Sequence, residues 1–145
     1  MTTPVIRRAS REDLPVIEQL LKGALLPVQG VRGNLEQFSV AEQDGVIVGM
    51  IGLEIYGDTG LLRSLVVRPS EQRRGIGDLL CRSLLRDAHD LGLRHLVLLT
   101  TTAERYFAVR GFRTIDRKQV TGEVTRSVEF MEACPSTAIC MELLL

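Results

Sequence analysis

The segment Gln72-Arg73-Arg74-Gly75-Ile76-Gly77 sets two cations and two glycines directly before a long apolar run. Glycines at 75 and 77 permit positive φ and a close backbone approach, and amides at the start of a helix converge with its dipole on one point. That is the chemistry of anion binding, phosphate above all. Two common phosphate loops are excluded. A dinucleotide fingerprint needs a third glycine where Leu80 stands, and a nucleoside-triphosphate loop needs Gly-Lys-Ser/Thr, which the chain lacks. Arg73 and Arg74 keep two readings, as helpers of the anion or as solvated surface charge, because amides can hold a phosphate unaided.

The elements that must position this loop follow from periodicity. Val5 and Ile6 start a strand, and Leu14, Ile17, Leu20 and Leu21 share one helical face after Ser10 or Asp13 as cap. Phe38 to Glu42 alternates into Asp44-Gly45, and Val46 to Ile55 resumes, which predicts a hairpin with a two-residue turn. A second turn at Gly57-Asp58-Thr59-Gly60 leads into the strand Leu61 to Val67. Ile76, Leu79, Leu80, Leu84 and Ala88 then form a helix capped by Gly92, followed by a buried strand from His95 to Thr100. A short helix, Ala103 to Arg110, stops at Gly111. A strand from Phe112, a helical turn or two at Val124, Val128 and Met131, and an apolar strand from Thr137 to Leu145 complete the order. The pattern is an α/β (α+β) single domain over residues 1–145, with the strands at 61–67 and 95–100 joined by a right-handed crossover.

Composition narrows the function classes. Eighteen acidic against 18 basic residues leave no global field to attract nucleic acid or an acidic membrane, so any anion site must be local. No stretch reaches the roughly 20 apolar residues of a membrane span, and no apolar run follows the N-terminal arginines, so a cytoplasmic protein is expected. Cys81, Cys134 and Cys140 are an odd set without metal-ligand spacing, which argues against a disulfide framework or a metal site.

With those elements in place, Gln72-Arg73-Arg74-Gly75-Ile76-Gly77 resembles the Q/R-x-x-G-x-G/A acetyl-CoA loop of the GNAT superfamily of N-acetyltransferases. The surrounding LRSLVVRP, the apolar helix after the loop, and ERYFAVRGF some 35 residues on occur in that family's order. LVLLTTTAERYFAVRGF is similar to the matching segment of bacterial amino-acid N-acetyltransferases of the N-acetylglutamate-synthase type. The tail EFMEACPSTAICM is similar to small N-acetyltransferases associated with arsenic resistance. The resemblance implies the GNAT fold: a mixed, mostly antiparallel sheet of about six to seven strands, a central parallel pair and about four helices. It also implies acetyl-CoA as donor with no metal, and a small-molecule amine, an amino acid or similar compound, as acceptor.

Carried over by residue, the resemblance implies that backbone groups of Leu65, Val66 and Val67 bind the pantetheine arm and that the segment Arg73, Arg74, Gly75, Ile76, Gly77 and Asp78 cradles the diphosphate. An ammonium acceptor with a pKa near 10.4 must lose its proton against roughly 4 kcal/mol at neutral pH, so a base or water chain is needed. The glutamate that some relatives use falls on Leu61 here. Glu54, across the second hairpin, and Glu42 are the substitutes, each otherwise an exposed strand carboxylate. The tyrosine that protonates the leaving thiolate in many members falls on Phe107, and Tyr106 beside it is the candidate acid. A backbone amide around Val66 would hold the oxyanion.

Arg63, a charge inside an apolar strand, is the candidate grip for an acceptor carboxylate, or else an arginine paired with Glu54. Ser64 and Thr101 join it as candidate acceptor contacts, with one of Thr100 to Thr102 expected to cap the next helix. The loop from Gly23 to Asn34, with Arg32, is a substrate lid or a plain connection, and His89 and His95 are structural. Two rival readings are a non-catalytic acetyl-CoA sensor and an arsenite site at Cys134 and Cys140. The apolar end ICMELLL makes strand pairing between subunits, and hence a homodimer, an expectation.

Overall fold

The computed structural model describes residues 3–133, 135 and 137–145. In chain order the main elements are β1 (Val5–Arg8), α1 (Leu14–Gly23), β2 (Phe38–Gln43), β3 (Val46–Tyr56), β4 (Thr59–Val67), α2 (Ile76–Asp90), β5 (His95–Thr100), α3 (Glu104–Val109), β6 (Arg113–Ile115) and β7 (Ile139–Leu144). The seven strands form one sheet in the order β1-β2-β3-β4-β5-β7-β6. Only β4 and β5 run parallel; the other neighbours are antiparallel.

Local chemistry fixes the two hairpins. Asp44 and Gly45 both take positive φ, 53° and 78°, the geometry of a type I′ turn whose twist matches its strands. The second turn is tighter than expected: Tyr56 pairs with Thr59, so Gly57 and Asp58 alone make the turn and Thr59 and Gly60 belong to β4.

Alternation within strands puts helices on both faces of the sheet. α2 buries Leu80, Leu84 and Ala88 against Ile51, Leu53, Leu62 and Leu96. On the opposite face α1 buries Ile17, Leu20 and Leu21 against Phe38, Val40, Met50 and Val66. A third cluster, on Leu61, Val97 and Cys140, is covered by Val120, Val124 and Phe130 from the β6–β7 connection.

The helical turn or two expected at Val124, Val128 and Met131 are a 3-10 turn over Glu123–Arg126 and a π turn over Glu129–Ala133, separated where Ser127 turns extended (ψ 154°). Among the described residues they accompany three α-helices. The terminal strand is not an open edge along its length: β7 pairs with β5 on one side and, over Cys140–Glu142, with β6 on the other, so the pairing between subunits expected of ICMELLL would have to use the end beyond Glu142.

Candidate active-site cleft

β4 and β5 part company halfway along. They pair only through Thr59–Leu61 and His95–Val97, and beyond that point β5 follows β7 while Leu62 to Val67 of β4 lose their neighbour on that side. A bulge in β4 drives the divergence. Gly52 faces Arg63 and Met50 faces Val66, so Ser64 and Leu65 stand opposite a single residue, and Ser64 takes φ 61°, a conformation that L side chains adopt at an energetic penalty. The wedge opens into a cleft of about 980 Å³ that runs from Arg63 and Ser64 to Gly77 and Asp78. Leu65 and Val67 line it, while Val66 points into the α1 cluster.

At one end the cleft meets the start of α2. Arg73 at φ 66° and Gly75 at φ 82° turn the chain sharply into the helix. Gln72 ties the turn back to β4 by donating from Nε2 to the Val67 carbonyl at 3.1 Å. The first helical bond runs from the Leu79 amide to the Gly75 carbonyl at 3.0 Å, so the amides of Ile76, Gly77 and Asp78 have no partner inside the helix. Space at Gly77 is tight: a Cβ there would lie 2.5 Å from the Tyr106 hydroxyl, which would have to shift. Arg73 lines the cleft, whereas Arg74 is held by Glu71 at 3.2 Å and lies outside the lining. Amides at a helix start beside a guanidinium are donors of the kind a phosphate takes.

At the other end stands Arg63, whose side chain is fully buried. Its Nε donates to Ser64 Oγ at 3.0 Å, one terminal nitrogen donates to Gln29 O at 2.7 Å and to Glu54 at 2.8 Å, and the other donates to Pro27 O at 3.1 Å. Glu129 lies 3.6 Å from Nε. Those four hydrogen bonds use four of the five N–H groups of a guanidinium. The expected bidentate grip on a substrate carboxylate is therefore not available; one donor remains. Arg63 instead pins the α1–β2 loop to the sheet, so the loop expected as a lid is anchored at Pro27 and Gln29, and Gly30 lies so near that a Cβ would come within 2.9 Å of the guanidinium.

Neither carboxylate expected as base faces the cleft. Glu54 is 2% exposed, and its two oxygens accept from Arg63 and from the Tyr56 hydroxyl. Burial, together with that bond, keeps the Tyr56 phenol well above its ordinary pKa and thus protonated. Glu42 is paired with Arg7 at 3.2 Å on the far side of β3. Among the described residues, the carboxylates that line the cleft are Glu71 and Asp78, both at the α2 end.

Tyr106 does not point along the cleft toward Ser64. One helical step of about 100° separates it from Phe107, which enters the core against Phe112, so Tyr106 turns onto α2 with its hydroxyl over Gly77 and 4.0 Å from Cys81 Sγ. Gly77 adjoins Val67, three residues and roughly 10 Å of strand from Ser64. Burial raises the Tyr106 phenol to about 12, but its place is at the α2 end of the cleft. The helix cap expected from Thr100 to Thr102 is not formed: Ala103 is the N-cap of α3 with no side-chain cap, and Thr100 Oγ accepts only from the Ala103 amide ahead of the helix, at 3.0 Å, while Thr101 stands as an exposed residue on the cleft wall. His95 lies 3.4 Å from the Thr59 hydroxyl, outside the cleft.

Of the two cysteines proposed for arsenite, Cys134 lies outside the described residues and Cys140 is buried, its thiol pushed up by burial to about 11, the opposite of a ready thiolate ligand. No group of three or more potential metal ligands occurs among the described residues. Nor is any described helix long and apolar enough to cross a membrane.

A sheet split at its one parallel pair, with unpaired helix amides at one mouth, is the acetyltransferase architecture, and residues 6–113 match the model of the acetyltransferase (GNAT) family. The chain belongs to that family. It is 35% identical over 143 residues to an amino-acid acetyltransferase of Mycobacterium tuberculosis, covering 92% of this chain and 79% of that one. A Neisseria meningitidis amino-acid acetyltransferase is 29% identical over 126 residues, but this chain spans only 28% of its length. Among solved structures, Rv2747 of Mycobacterium tuberculosis, in complex with CoA, superposes with a TM-score of 0.83 at 30% identity, covering 98% of this chain and 99% of that one. The N-acetylglutamate synthase of Neisseria gonorrhoeae, complexed with coenzyme A and N-acetyl-glutamate, shares the fold with a TM-score of 0.85 at 23% identity over all of this chain and 36% of its own.

Proposed function

We propose that this chain acetylates the amine of a free amino acid or close analogue with acetyl-CoA as donor. The observation that carries the reading is the cleft itself, which joins unpaired α2 amides at one end to a polar acceptor end at Ser64 and Thr101. The names of the similar amino-acid acetyltransferases support the acceptor class.

Acetyl-CoA, when bound, supplies an activated thioester. The chain's own contribution is placement and a fixed field. The amides from Arg73 to Asp78 hold the diphosphate, and the edge of β4 over Leu65 to Val67 aligns the pantetheine arm as a strand would. The amide near Val66 receives the negative charge that develops on the acetyl oxygen. Ser64, Thr101 and the remaining N–H of Arg63 contact the acceptor, Arg63 as one donor to a carboxylate rather than a fork. Glu54 serves by fixing Arg63. With no carboxylate among the described residues lining the Ser64 end, the ammonium proton leaves through solvent in the cleft, and kcat/KM should rise with pH in step with the acceptor's own free-amine fraction. Cys81 and Cys140 are free thiols, in keeping with the reducing cytoplasm as the place of action.

The test is thiol release from acetyl-CoA across free amino acids, their N-acetylated forms and simple amines. Saturable release that needs a free amino group supports the reading. CoA binding without amine-dependent release would make the chain a sensor of acetyl-CoA instead.

A further inference from the structure

The last turn of α3 inverts the usual helix polarity. Val109 is 84% exposed, while the side chain of its neighbour Arg110 is drawn inward to 22%. An ordinary amphipathic helix would place the two the other way round. A local rule broken in this way points to a demand from elsewhere in the molecule.

The inward guanidinium is held by stacking, by one hydrogen bond to backbone and by the neighbouring Cys81 thiol. Its Cζ lies 3.5 Å from the centroid of the Tyr106 ring, and one nitrogen donates to the Tyr106 carbonyl at 2.9 Å. A second nitrogen stands 3.7 Å from Asp78, too far for a hydrogen bond. The Nε atom is buried and has no hydrogen-bond partner among the described residues. Tyr106 in turn rests on Gly77, so ring and guanidinium are layered against the first turn of α2, where the unpaired amides lie, and both residues line the cleft. Nε is enclosed, but among the described residues only one of the terminal N–H groups has an oxygen acceptor in a hydrogen bond, so the guanidinium at the cleft wall keeps donors for a ligand.

We propose that Arg110 is the second jaw of the diphosphate site, its guanidinium bonding a phosphate oxygen of CoA from the α3 side while the α2 amides bond from below. Tyr106, expected as a proton donor, is then the platform that orients this arginine. The inference rests on the acetyl-CoA reading above, and the two fail in distinguishable ways.

Titration calorimetry with CoA itself, without turnover, is the test. Arg110→Met keeps the stem but removes the charge, and is expected to raise the Kd for CoA about tenfold or more. The loss should be equal for 3′-dephospho-CoA, which keeps the diphosphate. It should also persist when Asp78→Asn is added, since a residue that merely neutralised Asp78 would be dispensable there. A Val109→Arg, Arg110→Val exchange restores ordinary helix polarity, and should melt no lower than wild type while binding CoA as weakly as Arg110→Met. Unchanged affinity in the folded exchange variant, recovery with Asp78→Asn, or a loss confined to ligands with the 3′-phosphate would each overturn the proposal. A wild-type protein that binds no CoA would remove the acetyl-CoA reading and the proposal with it.

Discussion

Arg63 and Arg110 line the same cleft, yet their surroundings are opposite. Arg63 is wholly buried and makes four hydrogen bonds to the protein; among the described residues Arg110 makes one, has no hydrogen-bond partner for its buried Nε, and lies on an aromatic ring. A guanidinium whose donors are spent on its own chain is a fastener. One whose donors are left open beside unpaired amides is a ligand contact in waiting. The same contrast separates the two ends of the cleft: the Ser64 end is fastened by an internal ion cluster, and the α2 end presents amides with no partner inside the helix.

Breaking the fastener should have the largest effect. Arg63→Ala leaves Glu54 and Glu129 buried around an absent cation, and is expected to lower stability by about 3–5 kcal/mol in denaturant unfolding. CoA affinity measured on the folded fraction should hold, since the α2 end is untouched; a stable variant with weakened CoA binding would reverse the roles assigned to the two arginines.

The α2 end is probed next by Gly77→Glu, whose Cβ collides with the Tyr106 hydroxyl and whose charge opposes a diphosphate. Its Kd for CoA should rise about a hundredfold or more, near 2.7 kcal/mol, with far-UV circular dichroism unchanged.

A third cluster serves as a reference away from the cleft. Arg7 bonds both oxygens of Asp13, at 2.8 and 3.0 Å, and holds its carboxyl down at about 2. A depressed folded-state pKa gives stability that is complete above the unfolded value near 4 and is lost as pH falls toward 2. Asp13→Asn should remove about 1–2 kcal/mol at neutral pH and flatten the acid limb of the unfolding curve between those values. Activity at pH 7 on the folded protein should stay as in wild type.

The smallest effect is expected at Glu54→Gln. If Glu54 only anchors Arg63, kcat falls less than about tenfold while the melting temperature drops; loss of a general base removes roughly 10²–10⁴ from the rate.

What could be read from residues alone was what depends on near neighbours. Asp44-Gly45 forces its turn whatever surrounds it, and Gly75 with the apolar period after it specifies α2 and its anion-binding start. The Arg63–Glu54 pair was legible as one of two options because a hairpin register links the strands. Its other partners, Pro27 and Gln29, lie more than 30 residues away, and only the tertiary fold decides that their carbonyls fill the guanidinium. Ser64 carries no hint of positive φ, so the bulge that opens the cleft was invisible. Arg110 could have been flagged by its exchange with Val109 at the end of an amphipathic period, but which way Tyr106 and Arg110 face depends on how α3 lies across α2. In the β6–β7 connection the spacing of Val124, Val128 and Met131 announced helical turns, but not that Ser127 would divide them into a 3-10 and a π turn.

The most direct measurement is mass spectrometry of a free amino-acid mixture incubated with the protein and acetyl-CoA. The expected result is one or a few N-acetyl amino acids whose yield scales with protein and is lost with Gly77→Glu. A protein that binds CoA in calorimetry yet leaves every amino acid unmodified would contradict the assignment of the Ser64 end as an acceptor site.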